Sequence, residues 1–186
     1  MVLSSIEKIY IERQVDALLA DYGYSPETDT YVDIVNLAIK FGFSVGNAKL
    51  NDREDGYIII QPHKNSSVAS IYPSHSKVIG VNVNRPLDLK RFIVAHEFAH
   101  SVLHYSGDGL FLHRDNVKGK NKIENSADYF AASILMPKVS FIREYQKLVD
   151  QKLSPNTICY RLAALYKVPF ESVYRRISEV AMGSTT

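Results

Sequence analysis

Residues 91–104 read Arg-Phe-Ile-Val-Ala-His-Glu-Phe-Ala-His-Ser-Val-Leu-His, and this stretch decides how the whole chain is interpreted. His96 and His100 are four positions apart, so on a helix they share one face and lie about 6 Å apart along its axis. Two imidazoles placed in this way can bind one metal ion, and Glu97 between them can reach a water molecule on that ion. Apolar residues surround the motif on nearly all sides of the helical wheel, which predicts a central, buried helix over residues 88–105.

A second motif is formed by Glu124 and Asp128, which share one face of the next predicted helix, residues 123–135. Glu124 is the predicted third metal ligand. Asp128, one turn further on, can accept a hydrogen bond from the far ring nitrogen of a ligating histidine. The alternatives are hydrogen-bonded core histidines and a solvated acidic face. They are disfavoured because burying these polar groups among apolar neighbours without partners is costly.

The predicted ligand set His96, His100 and Glu124 leaves a fourth coordination position for water, which is typical of a catalytic rather than a structural zinc site. Glu97 is then the predicted general base, which takes the proton of that water and returns it to the leaving amine of a peptide bond. The sequence therefore predicts one Zn²⁺ ion per chain. Manganese and iron remain alternatives, because they also bind two histidines and a carboxylate.

Two further histidines are candidates for the surroundings of this site. His104 lies two helical turns from His96, about 12 Å along the axis, and cannot join both other histidines on one metal. We expect it to line the pocket or to stabilise the transition state, with a structural role as the alternative. His113 lies in a basic segment that can approach the site, and is a second pocket candidate. Ser106 occupies the position where a metzincin needs its third histidine, which excludes that class.

The composition is that of an ordinary soluble domain, with 186 residues, 46% hydrophobic and 23% charged. A net charge of +2 argues against a protein that binds nucleic acid mainly through electrostatics. The single cysteine, Cys159, cannot form an internal disulfide, which suits a reducing compartment. No signal-peptide pattern and no apolar run of about 18 residues is present, so we expect a cytoplasmic protein without membrane contact.

Hydrophobic periodicity predicts an α+β domain with helices first, then a small mixed or antiparallel sheet, then the two motif helices and a helical tail. Turn residues such as Asp55-Gly56 separate the predicted strands, and residues 78–82 are a candidate edge for substrate strand addition. The chain is divided into a main domain, 1–150, and a C-terminal helical segment, 151–186. The predicted helices are 5–21, 30–41, 88–105, 123–135, 155–166 and 170–180; the predicted strands are 43–45, 57–61, 68–72 and 77–83; and residues 107–122 are a predicted loop.

Two blocks, residues 91–104 and 124–137, together resemble the ImmA/IrrE family of zinc metallopeptidases. Residues 32–38 and 41–45 are similar to the family as well, and the resemblance extends over about residues 30–180. It implies a zincin-like metallopeptidase domain with the gluzincin pattern of two histidines and a downstream glutamate. One departure is Asp128, where many relatives carry asparagine. An aspartate accepts a hydrogen bond from a ligating histidine at least as well.

By this resemblance His96, His100 and Glu124 are zinc ligands and Glu97 is the catalytic base. Family members are commonly encoded by mobile elements or beside helix-turn-helix repressors, and they cut the repressor or cause its loss. The resemblance therefore implies a zinc endopeptidase that site-specifically cleaves a transcriptional repressor and derepresses genes under stress. The alternative is a zinc-dependent regulatory, DNA-binding or partner-binding protein with little or no proteolysis. Glu97 favours the protease, because a binding module needs no base between its ligands.

The C-terminal segment has the spacing of a helix-turn-helix over residues 158–177. Its basic residues are candidates for phosphate contacts, but the set is small. We therefore favour packing on the main domain or recognition of the repressor over direct DNA binding. The candidates are Arg161, Lys167, Arg175 and Arg176.

Overall fold

A computed structural model describes residues 2–60, 77–105, 110–115 and 122–180. The helices are α1 Ser5–Tyr22, α2 Ile34–Lys40, α3 Leu87–Leu103, α4 Lys122–Leu135, α5 Lys138–Asp150, α6 Pro155–Tyr166 and α7 Phe170–Val180. The strands are β1 Ser44–Ala48, β2 Glu54–Ile60, β3 Lys77–Asn82 and β4 Leu110–Asp115. None of the helices within the described residues is long and apolar enough to cross a bilayer.

The four described strands form one mixed sheet in the order β1-β3-β2-β4. β1 runs parallel to β3, with Val45 opposite Ile79, whereas β2 pairs antiparallel with both β3 and β4. The predicted α+β fold with a small mixed sheet is thereby confirmed. β3 has a neighbour on each side, so the prediction that residues 78–82 offer a free edge is wrong; among the described strands the edges belong to β1 and β4.

Two segments that were predicted as turn or loop are strands. Asp55 and Gly56 lie inside β2, where the pairing with β4 shifts register between Glu54 and Gly56. Residues 110–115, within the predicted loop 107–122, form β4. Turn-forming residues in the first segment and basic residues around the second led to these predictions. Both segments are strands because they pair with strands that are distant in sequence, which the local composition does not reveal. The strand predicted over residues 68–72 lies outside the described residues.

The helices differ from prediction mainly at their ends. α2 begins at Ile34 rather than at residue 30, because the Asp33 side chain accepts from the backbone N–H of Asn36 and caps the helix. Pro137 ends α4 as expected but also serves as the N-cap of α5, a helix that was not predicted. The division of the chain at residue 150 stays a prediction.

Helix α3 is the centre of the molecule, with the sheet on one side and α4 on the other. Its residues from Arg91 to His100 are all buried. The Arg91 guanidinium donates to Tyr31 Oη at 2.6 Å, to Val32 O at 2.9 Å and to Lys167 O at 3.2 Å. These bonds hold the start of α3 against the segment before α2 and against the turn between α6 and α7.

Candidate metal centre

Helices α3 and α4 bring two imidazoles and one carboxylate to a single point. The Nε2 atoms of His96 and His100 are 3.1 Å apart. Glu124 Oε2 lies 3.1 Å from His96 Nε2, and Glu124 Oε1 lies 3.5 Å from His100 Nε2. Both histidines are almost fully buried, whereas the Glu124 side chain is 33% exposed and marks the side of the group that faces solvent.

These spacings fit one metal ion. Two atoms bound tetrahedrally to zinc at about 2.0–2.1 Å lie about 3.3 Å from each other. The three ligand atoms of His96, His100 and Glu124 lie within 4.8 Å of one another, and each pairwise distance given above is close to that edge length. The donor set of two neutral imidazoles and one carboxylate also suits zinc, manganese or iron. The group therefore has the geometry and the chemistry of a metal site, and it unites the three predicted ligands.

Asp128 lies behind His96, one turn along α4 from Glu124. Its Oδ1 is 2.9 Å from His96 Nδ1, and its side chain is only 2% exposed. A buried carboxylate in this position accepts the Nδ1–H of the imidazole and leaves Nε2 with a lone pair that points toward Glu124. Asp128 thus occupies the position that the sequence predicts for a residue that orients a ligand.

His104 does not join the metal group but contacts it through His100. Its Nδ1 is 3.1 Å from His100 Nδ1, and its Nε2 is 3.0 Å from Ser126 Oγ on α4. Burial lowers the pKa of His104 below its usual value. His104 and Ser126 also border a cavity of about 260 Å³ between α1, α3 and α4. The role predicted for His104 at the substrate pocket stays a prediction.

Glu97 is fully buried on α3, next to the strand β2. The strand reaches it because Gly56 has no side chain. A Cβ atom at Gly56 would lie 2.5 Å from Ile93 Cγ2, 2.8 Å from Gly80 O and 3.6 Å from Glu97 Oε1. Gly56 is therefore a residue of the site that sequence reasoning assigned to a turn. A glycine within a run of β-strand residues often marks such a close approach.

The remaining candidates are not members of the metal group. His113 is on β4 with its backbone opposite Tyr57, and its role at the pocket stays a prediction. Arg161 and Lys167 are exposed on the C-terminal segment. Arg175 Nη1 lies 3.8 Å from Asp128 Oδ2, so its side chain reaches toward the metal group from α7.

Arg176 requires a correction, because the prediction that it contacts phosphate is wrong. Its side chain is fully buried. The guanidinium donates to Glu12 Oε1 at 2.6 Å, to Ser133 Oγ at 3.0 Å and to Met136 O at 3.1 Å. On α7 it lies three residues after Val173 and four before Val180, which are both buried. That spacing is a sequence signal for the inner face of the helix.

Comparison with known proteins gives one family and one similar fold. Residues 52–178, more than half of the chain, match the family model for Peptidase M78, the IrrE N-terminal-like domain. A solved structure of a Mycobacterium tuberculosis transcriptional regulator is similar at a TM-score of 0.54 and 17% identity. The similarity covers 90% of this chain but only 46% of that regulator, and at this identity it shows the fold alone. A search of curated proteins found no match.

Proposed function

Because the chain belongs to the IrrE N-terminal-like peptidase family, we propose that it is a zinc-dependent endopeptidase that cuts a regulatory protein at a defined site. The resemblance of the two central blocks to ImmA/IrrE peptidases is confirmed by the family match. One observation supports the activity above all others: His96, His100 and Glu124 surround one point, and a buried glutamate, Glu97, sits between the two histidines in sequence.

In this proposal His96, His100 and Glu124 hold the ion, and Asp128 keeps His96 in the tautomer that binds it. When bound, zinc supplies Lewis-acid polarisation of the scissile carbonyl and lowers the pKa of a water molecule. Glu97 accepts the proton of the attacking water and gives it to the leaving amine, which balances the hydrolysis of the peptide bond. The backbone of Gly56 lies close to the Glu97 carboxylate, since a Cβ atom at Gly56 would be 3.6 Å from Glu97 Oε1.

The substrate main chain is proposed to add to β4. Among the described strands, β4 has a neighbour on one side only and pairs there with β2, the strand that packs beside Glu97. An extended peptide that continues the sheet would satisfy the outer backbone groups of β4. This edge replaces the one expected at residues 78–82.

The proposed substrate is a helix-turn-helix transcriptional repressor, as the family resemblance implies. The similar fold of a transcriptional regulator is compatible with a role in gene regulation. The competing proposal is a zinc-dependent regulatory protein with little or no proteolysis, in which exposed residues such as Arg161 and Lys167 contact DNA or a partner. Because Arg176 is buried, it is no longer a candidate for contacting phosphate, and the DNA-binding form of that proposal is weaker.

A paired measurement tests the proposal. The metal content of the purified protein is determined, and cleavage of the helix-turn-helix repressor encoded nearest to the gene is followed with wild type and with Glu97→Gln. We expect one zinc per chain in both proteins. Cleavage should fall by a factor of about 10² to 10⁴ in the variant, because only the base is lost.

Each of the other outcomes favours a different reading. Zinc in both proteins with repressor cleavage by neither would favour the non-proteolytic regulator. Equal cleavage by both would remove Glu97 from its proposed role. Absence of any bound metal from wild type, even after incubation with Zn²⁺, would refute the metal centre itself.

A further inference from the structure

We infer that His104 and Ser126 form a positioning chain for the metal ligand His100, which ties α3 to the turn of α4 that carries Glu124. This His104–Ser126 chain rests on the metal-binding part of the proposed function. It concerns the positioning of His100 and assigns neither residue a role as a metal ligand.

Three consecutive short contacts make up the chain. His100 Nδ1 and His104 Nδ1 are 3.1 Å apart, and His104 Nε2 lies 3.0 Å from Ser126 Oγ. Ser126 Oγ in turn donates to the Ile123 carbonyl at 2.7 Å. The chain therefore starts at one predicted ligand and ends on the backbone next to another, since Ile123 directly precedes Glu124.

Metal binding assigns a direction to every hydrogen bond in this chain. If His100 gives the lone pair of Nε2 to a metal, its single proton sits on Nδ1, which must donate. His104 Nδ1 is then the acceptor, so the proton of His104 sits on Nε2 and is donated to Ser126 Oγ. The Ser126 hydroxyl keeps its own proton for the Ile123 carbonyl. Each contact in the His104–Ser126 chain then joins one donor to one acceptor.

The two ligand histidines are thus held by different acceptors. When both histidines bind a metal through Nε2, His96 donates to the carboxylate of Asp128, whereas His100 donates to the imidazole of His104. Outer partners of this kind fix the ring orientation of a ligand, and their loss typically lowers metal affinity or activity 10- to 100-fold. Because the His104–Ser126 chain ends on α4, it also opposes movement of Glu124 away from His100.

The test is a chelator competition that measures the Zn²⁺ affinity of the wild-type protein and of three variants. His104→Phe keeps a ring but cannot accept, and we expect its affinity to fall about 10-fold. Ser126→Ala removes only the far end, and we expect a smaller loss in the same direction. Ser101→Ala is the matched control: the Ser101 hydroxyl also donates to a carbonyl three residues back, at 2.6 Å, but it belongs to no histidine chain.

A conservative variant separates positioning from simple packing. His104→Asn can place its amide oxygen near the position of Nδ1 and accept from His100, so it should recover part of the lost affinity although it fills less space. Co²⁺-loaded protein gives a second readout, because the visible bands report ligand geometry: they should change in His104→Phe and stay as in wild type in Ser101→Ala.

The outcomes separate this inference from the proposed function. Wild type without Zn²⁺ affinity would overturn both. Wild type that binds Zn²⁺ with the same affinity as His104→Phe and Ser126→Ala would overturn the chain and leave the metal centre standing. If His104→Phe fails to fold, the Zn²⁺ affinities of Ser126→Ala and Ser101→Ala are compared instead. Equal affinities would overturn the His104–Ser126 chain, and a loss of affinity only in Ser126→Ala would support it.

Discussion

Helices α3 and α7 both bury ionisable side chains, and they do so in opposite ways. On α7, the guanidinium of Arg176 is surrounded by acceptors from α1, from α4 and from the residue that follows α4. On α3, the Nε2 atoms of His96 and His100 converge with Glu124 on a common point. The charge of Arg176 is matched by acceptors within the protein, whereas the α3 group has the arrangement of a site that would bind a cation.

The comparison teaches how to judge a buried charge. A buried ion pair is expensive to desolvate, and its partners must repay that cost within the fold. Arg176 and Glu12 do so at 2.6 Å, with Ser133 and Tyr129 also bonded to Glu12. Groups that direct lone pairs at one point, such as the two imidazoles and the carboxylate of the α3 group, indicate a cation instead. Three of the four experiments below test this distinction, and the other tests how closely β2 packs against α3.

The largest effect is expected from breaking the α7 pair. Arg176→Met leaves the Glu12 carboxylate, 17% exposed, without its cation, so the free energy of unfolding should fall by about 3–5 kcal/mol. Urea denaturation measures the loss. Arg175→Met, one residue earlier with a side chain 56% exposed, is the control and should cost less than about 1 kcal/mol. Equal losses in the two variants would mean that the buried pair contributes nothing specific.

A smaller effect is expected from pushing β2 away from α3. In Gly56→Ala the new methyl group would meet Ile93 Cγ2 at 2.5 Å and Gly80 O at 2.8 Å, so stability should fall by about 1–3 kcal/mol. Gly46→Ala in β1 is the control, because a Cβ there would meet no described atom within 4 Å. The thermal midpoints of both variants give the comparison; similar midpoints would show that β2 can shift without strain.

The third experiment acts on the α3 group through Asp128. Asp128→Ala removes the acceptor 2.9 Å from His96 Nδ1, and Zn²⁺ affinity should fall 10- to 100-fold, or about 1.4–2.7 kcal/mol. Asp128→Asn keeps an acceptor oxygen and should lose less. Affinity is measured by chelator competition. If both variants bind Zn²⁺ as tightly as wild type does, then Asp128 belongs with Arg176 among the purely structural charges.

The smallest effect is a pH dependence of the α7 pair. Burial raises the pKa of Glu12, but the charge and hydrogen bonds of Arg176, together with hydrogen bonds from Tyr129 and Ser133, outweigh burial, and the net pKa is below its ordinary value of 4.5. A depressed folded-state pKa contributes stability that is present above about pH 4.5 and is lost as the pH falls through the folded-state pKa. Thermal midpoints measured from pH 7 to pH 3 should therefore fall more steeply for wild type than for Glu12→Gln. Parallel curves would contradict the assigned shift.

The metal group could be predicted because its geometry is local. Helical spacing alone places His96 beside His100, and the same rule places Glu124 one turn before Asp128. Only the meeting of α3 with α4 needed tertiary structure, and the small residues Ala127 and Ala131, both fully buried, are the sequence signal for that close contact.

Features that depend on distant partners could not be predicted from local pattern. β4 is a strand because it pairs with β2, roughly fifty residues earlier, and its basic surroundings resemble a loop. Gly56 was assigned to a turn because a glycine after an aspartate is most often one. Arg176 was taken for a surface cation because its partner, Glu12, is 164 positions away in sequence.

That separation has a consequence for how the chain is made. Synthesis proceeds from the N-terminus at about 5–20 residues per second, so the ribosome releases Glu12 on the order of ten seconds or more before Arg176. During that interval α1 carries a carboxylate whose cation does not yet exist, and its docking on α4 must wait or remain weak. Helix α7 thus completes the burial of Glu12 on α1, and the docking of α1 on α4 is expected to finish only after α7 has emerged.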